Sequence, residues 1–332
     1  MHIIITLMIC IVISFLFTKF AKKLKLSAVI GLIIAGIVMG SPLLALFIEP
    51  NTGVILDLGS LGLIFLMFLA GMEVSFDMLK KEEKDSLIVG SLATIVPFLM
   101  GFVAFLFLGF SFFTSLTVGI CMSITAEATT SLVLLELNKL KTRIGSLMLE
   151  SGIIDDILGI SLFVFVVYLF TGNFTTGEVI TLVLSVAGFG IGIIVNKFLG
   201  REHEKINYLE NFLMIFVIPF FFISLGVYFS LKSLTLNPLL LIIIVVIAMT
   251  GKIAGVMLAG PLIKLPLNKL YIVGWGMNSR GAVGLAVAFI ALKIGLLGST
   301  LYSGLVFMTL ITTLIFPFII RRMVEKYPDI ME

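Results

Sequence analysis

Apolar residues in this chain fall into long runs instead of alternating with polar ones. Eleven such runs can be drawn, at roughly 2–20, 27–47, 54–74, 86–109, 111–136, 143–170, 177–199, 208–230, 237–263, 267–293 and 299–320. About 20 mostly apolar residues suffice for a helix to cross the hydrocarbon core of a bilayer. The pattern predicts an all-α polytopic membrane protein of about eleven spanning helices, filling residues 1–332 as a single transmembrane domain. The first run, from about Ile3 to Phe17, has neither a basic start nor a small-residue cleavage site, so it reads as a span and not as a signal peptide.

Composition strengthens this reading. Hydrophobic residues make up 60% of the chain and charged residues 12%, against roughly 45–50% and about 25% in soluble domains. A core of this size cannot bury so much apolar surface, so lipid is the solvent for most of it. The 31 glycines sit largely within the apolar runs, as close helix packing in a membrane requires. Cys10 and Cys121 give no disulfide framework or zinc spacing. His2 and His203 lie at or beyond the ends of runs, which leaves no buried histidine cluster. A net charge of +3 without a basic, aromatic-interleaved patch excludes nucleic acid as a partner.

The few charges set direction. Lysine and arginine favour cytoplasmic loops. Lys19, Lys22, Lys23 and Lys25 occupy the first loop, Lys80, Lys81 and Lys84 the third, and Lys139, Lys141 and Arg143 the fifth. Lys197, Arg201 and Lys205 occupy the seventh, Lys264 and Lys269 the ninth, and Arg321, Arg322 and Lys326 the tail. The alternate loops hold only Lys232 and Lys293. This predicts an external N-terminus and a cytoplasmic C-terminus.

Spans four to six and nine to eleven then run in opposite senses and form an inverted repeat. The middle helix of each triplet carries a polar, small-residue interruption: Ser123-Ile124-Thr125-Ala126-Glu127-Ala128-Thr129-Thr130-Ser131 in one, Gly276-Met277-Asn278-Ser279-Arg280-Gly281-Ala282-Val283-Gly284 in the other. Opened backbone at membrane depth is tolerated only where protein or a watery cavity satisfies it. Paired broken helices in inverted repeats mark a secondary transporter with its site at the midplane. Lys252, Arg280, Glu127, Glu150, Asp155 and Asp156 lie within spans, where ionisable groups usually mark an ion or proton path.

Ile153-Ile154-Asp155-Asp156-Ile157-Leu158-Gly159 resembles the double-aspartate signature of monovalent cation/proton antiporters. Ser123-Ile124-Thr125-Ala126-Glu127, Thr250-Gly251-Lys252, Asn278-Ser279-Arg280-Gly281-Ala282-Val283-Gly284 and Phe68-Leu69-Ala70-Gly71-Met72-Glu73 are similar to segments of the same superfamily, in its Kef-type and NapA-like sodium/proton branch. The resemblance covers nearly the whole chain. It implies a six-helix core, approximately 86–170 and 237–320, moving elevator-like against a dimerisation panel, approximately 1–74 and 177–230. It further implies a homodimer in the prokaryotic cell membrane that exchanges Na+ (or Li+, or K+) for protons, serves pH homeostasis and needs no cofactor. By position, Asp156 resembles the carboxylate that binds cation and proton, Asp155 the partner of Lys252, and Thr125 an accessory oxygen ligand. Two departures stand out. The family usually has about thirteen spans, and an acidic residue often follows Arg-Gly where this chain has Ala282.

The residues support such chemistry by themselves. A small hard cation needs several oxygen ligands, which a carboxylate, hydroxyls and unwound backbone carbonyls supply. One carboxylate that binds either a proton or a cation couples the two ions, provided the empty carrier does not cross. Adjacent residues on a helix point about 100° apart, so Asp155 and Asp156 are expected to do different work. Glu150 or Glu127 could neutralise Arg280 or offset the ends of the broken helices, and the position of Glu127 in the break could also place it in the cavity. Ser123, Thr129, Thr130 and Asn278 are available as accessory oxygens, although hydroxyls in membrane helices more often bond to backbone. Two alternatives use the same sequence. One is a Na+-coupled symporter of a small organic anion, the other an intramembrane aspartyl protease, which needs aspartates facing each other from different helices.

Overall fold

The computed structural model describes residues 3–24, 26–41, 44, 48–73, 83–172, 177–199 and 204–331, and among these every regular element is helical. Lys25, Lys80, Lys81, Arg201, His2 and His203 lie outside the described residues. The helices are α1 (Ile3–Lys23), α2 (Ala28–Met39), α3 (Thr52–Glu73), α4 (Glu83–Phe107), α5 (Phe112–Ser123), α6 (Glu127–Glu136), α7 (Arg143–Thr171) and α8 (Gly177–Leu199). They continue with α9 (Glu204–Phe216), α10 (Ile218–Val227), α11 (Leu231–Leu236), α12 (Pro238–Ile263), α13 (Leu267–Gly276), α14 (Ala282–Lys293) and α15 (Ser299–Lys326). With α5 and α6 taken together, and α9 and α10 likewise, nine segments among the described residues are long and apolar enough to cross a membrane. The second and tenth expected spans hold shorter pieces: α2, and the pair α13 and α14.

Local chemistry sets several of these ends. Ser27, Ser111 and Thr142 each turn a hydroxyl onto a backbone N–H of the first turn of α2, α5 and α7, where a helix has donors without intrahelical partners. Gly172 closes α7 in the left-handed region at φ 72°, a conformation that costs glycine little. The eighth expected span is not one helix. It divides at Val217, with Pro219 in the first turn of α10, because proline has no N–H to continue the α9 ladder.

The chain forms two compact units, Met1–Ser75 with Thr175–Ser230, and Phe76–Phe174 with Leu231–Glu332. In the first, α3 packs along α8, and α10 packs on α2 and α3. Small residues let backbones meet at these seams. A methyl group added at Gly36 would lie 1.9 Å from the Phe222 carbonyl oxygen, and one at Gly226 would lie 1.7 Å from that of Gly36. In the second unit α4 is central and packs against α5, α7 and α12. Gly255 brings α12 close to α4, with an added methyl 2.4 Å from the Leu92 oxygen. An apolar cluster that includes Ile144, Leu147, Val256, Ile272, Phe316 and Met331 packs within this unit.

Overpacking a tight core typically costs about 1–3 kcal/mol and occasionally more. Gly226→Val is therefore expected to lower stability by about 3 kcal/mol or more, because backbone on both sides cannot yield. Thermal unfolding of the detergent-solubilised variant checks this; an unchanged midpoint would contradict the α2–α10 seam.

Candidate ion-binding site

The site lies wholly within the second unit and starts from two helices that stop in mid-course. The first break spans only Ile124–Ala126, and Glu127 already begins α6. The second spans Met277–Gly281. Both are shorter than the polar stretches suggest, since Glu127–Ser131 and Ala282–Gly284 complete helical turns. An acidic residue in the first turn of α6 is favourable there.

The breaks bond to each other. The Ala126 N–H donates to the Ser279 carbonyl at 2.8 Å, and the Ser279 hydroxyl donates to the Ala126 carbonyl at 3.0 Å. Thr130 donates to the Gly276 carbonyl at 2.9 Å and lies 3.0 Å from the Ser279 hydroxyl. Gly281 gives the room: a methyl group there would lie 2.4 Å from the Ala126 Cβ. Opened backbone at membrane depth thus finds partners within the protein.

The carbonyl end of α5 draws two cations. Arg280 donates through Nη1 to the Ser123 and Ile124 carbonyls at 3.2 and 3.0 Å, and through Nη2 to the Ala248 carbonyl of α12 at 2.7 Å. Lys252, also on α12, donates to the same Ser123 carbonyl. Orphan carbonyls and the negative pole of a helix C-terminus both favour positive charge. These acceptors of Arg280 are backbone carbonyls and not Glu150 or Glu127, the two acids that could have neutralised it. Its guanidinium is held by backbone, because the break leaves carbonyls that only a strong donor in reach can satisfy. Thr313 of α15 fixes the arginine from behind by donating to its carbonyl.

Lys252 also pairs with Asp155 of α7 at 2.6 Å, and both side chains are fully buried. Asp155 is gripped from three sides. Its Oδ2 accepts from Lys252 and from the Thr125 hydroxyl, and its Oδ1 accepts from Thr94 of α4 at 2.8 Å. Thr125 also lies 3.3 Å from the Met277 carbonyl of the second break. Asp156, 7% exposed, is the next residue of α7.

The fit of the first break on α7 follows from helix geometry. At about 100° per residue, Gly152, Asp155, Asp156 and Gly159 share one face. A methyl group at Gly159 would lie 2.5 Å from Cγ1 of Ile124, and one at Gly152 would lie 2.7 Å from Cγ of Glu127. The two glycines seat the segment on either side of the aspartates, and Thr125 between them meets Asp155.

The remaining predicted residues are buried nearby with other contacts. Ser123 donates to the Ile120 carbonyl at 2.8 Å, and Asn278 to the Met249 carbonyl at 3.2 Å. Thr129 is buried on α6. Glu150 sits five residues before Asp155 and accepts from Ser86 of α4 at 2.6 Å. Sequence reasoning missed Thr94, Ser86, Ser279 and Thr313. Thr94 carried one signal: with Ser86 and Gly90 it forms an i, i+4, i+8 stripe of small and hydroxyl residues along the otherwise apolar α4.

The chain has relatives among known proteins. A Na(+)/H(+) antiporter of Enterococcus hirae is 25% identical and aligns with 92% of this chain and 94% of its own. The Na(+)/H(+)-K(+) antiporter GerN of Bacillus cereus is 26% identical, over 90% of this chain and 92% of its own. The solved sodium proton antiporter MjNhaP1 of Methanocaldococcus jannaschii superposes with a TM-score of 0.69 at 15% identity, covering 100% of this chain and 98% of that one. The family of transmembrane sodium/hydrogen exchangers matches residues 9–201 and 189–326. This chain, with its two broken helices bonded at their breaks, belongs to the sodium/hydrogen exchanger family.

Proposed function

We propose that this exchanger works by competition between a monovalent cation and a proton for the carboxylate of Asp156. The observation that carries the reading is the commitment of the neighbouring acid. Asp155 accepts hydrogen bonds from Thr94, Thr125 and Lys252, and such a charge-assisted set holds it as a counterion. The exchanging role then falls to the adjacent carboxylate, which α7 turns about 100° away. Carbonyls and hydroxyls freed by the two breaks supply further oxygen for a cation. Since cation and proton occupy the same group by turns, a carrier that moves only when loaded exchanges one for the other.

Several finer assignments belong to the same reading. The unit that holds the site is the transport core, and the other is the panel through which two copies associate. The basic loops put the C-terminus in the cytoplasm of a cell whose membrane the protein crosses many times. The cation is Na+ or Li+; K+ enters because one relative carries it in its name. Lys252 releases its proton as the cation binds, which makes exchange electrogenic. The protease alternative fails on geometry, since Asp155 and Asp156 are neighbours on one helix. Relatives that exchange ions without a named organic substrate give the symporter no support.

In proteoliposomes, Na+- or Li+-driven fluorescence dequenching is expected in wild type and lost in Asp156→Asn; retained exchange in that variant would sink the assignment. Clamping the membrane potential with K+ and valinomycin is expected to change the rate of wild-type exchange, and indifference to the clamp would speak for one proton per cation. Thr94→Val deletes one of the donors to Asp155. It is expected to cost about 1–3 kcal/mol of stability, with Thr94→Ser close to wild type, as read from thermal unfolding in detergent.

A further inference from the structure

Glu127 lies against Gly152, one of the two places on the α7 face where a side chain is missing. A methyl group at Gly152 would fall 2.7 Å from Cγ and 2.9 Å from Oε1 of Glu127. The glutamate therefore fills the space that residue 152 leaves open. Gly152 and Asp156 are i and i+4, one above the other on the same side of α7. Along this face Glu127 comes one turn before Asp156, toward the end where α7 begins at Arg143. Glu127 is half-buried, whereas Asp155 and Asp156 are buried. Its Oε1 is enclosed, but its side chain as a whole is the most exposed of the three.

We propose that Glu127 is the proton-relay carboxylate of the exchange cycle. When a cation binds Asp156, the proton leaving its carboxyl passes to the Glu127 carboxylate and from there to water on the side where α7 begins. When the cation departs on the opposite side of the membrane, Asp156 takes up a proton from the water of that side, so one proton crosses against the cation and no other bond is made or broken. The inference rests on the assignment of Asp156 as the exchanging group. Charged residues on the surrounding elements are Glu150, Asp155 and Asp156 of α7, Lys252 of α12, Arg280 between α13 and α14, and Arg321 of α15, which pairs with Glu136 at the far end of α6. A competing role exists, since an acid in the first turn of α6 also offsets the helix dipole. The two roles separate by which flux they affect.

The experiment compares two fluxes in proteoliposomes: Na+/H+ exchange across a range of pH, and counterflow of labelled against unlabelled Na+, which turns over Asp156 without net proton transfer. Glu127→Gln is expected to slow Na+/H+ exchange about tenfold or more and to alter its pH profile, while counterflow stays at the wild-type rate. Glu127→Asp should restore exchange. Gly152→Ala, which displaces the carboxylate without removing it, should behave like Glu127→Gln and serves as the test if that variant does not fold. A parallel fall of both fluxes would overturn the relay in favour of the helix-dipole role, as would exchange with an unchanged rate and pH profile. Retention of both fluxes in Asp156→Asn would overturn the site assignment and the relay with it.

Discussion

A helix that ends within a membrane exposes carbonyls that lipid cannot bond, and the rest of this site follows from that constraint. The carbonyl end of α5 is the case in point. Arg280 and Lys252 both reach the Ser123 oxygen. Each is a buried cation that would be costly without acceptors, and each finds them because the backbone has opened. The positive charge so gathered creates the need for Asp155, which closes an ion pair with Lys252. Asp155 in turn is steadied by hydroxyls from α4 and from the break itself. The break, the cations and the carboxylate make one arrangement in which removing any member strands a buried partner, a loss that costs more than the net worth of the contact.

Much of the fold was legible because membrane physics writes in plain terms. Apolar runs long enough to span and two polar interruptions at matching places can both be read in order along the chain. The pairing of Asp155 with Lys252 was legible only through resemblance, since nothing in their spacing joins residues 97 apart. Other features left no such trace. Thr94 is one hydroxyl among many, and its grip on Asp155 depends on how α4 crosses α7. The partners of Arg280 are hard to read because sequence displays acids and hides carbonyls: Glu150 and Glu127 are visible as candidates, while backbone oxygens such as those of Ser123, Ile124 and Ala248 exist at every position and matter chiefly where a helix stops. The division of the eighth span at Val217 is the reverse case. Pro219 was in view, but a proline within an apolar run reads equally as a kink or as the start of a new helix.

Small residues have a second task beyond close packing. At the α2–α10 seam they let backbones touch, and the effect is mechanical. On α7 they are spaced to receive a particular neighbour: Gly159 takes Ile124, and Gly152 takes Glu127. The face between them carries the two aspartates, so the absence of side chains at two positions determines where Thr125 meets Asp155. Glycine here acts as a mould for the broken helix.

The bond from the Ala126 N–H to the Ser279 carbonyl joins backbone to backbone. Any residue except proline at 126 can donate it, and any residue at 279 can accept it. This one bond makes almost no demand on which residues stand at 126 and 279, while the rest of the joint asks for a small residue at Gly281 and hydroxyls at Ser279 and Thr130. A backbone joint of this kind is compatible with wide differences in sequence, and a solved structure that shares 15% of its residues with this chain has a similar fold.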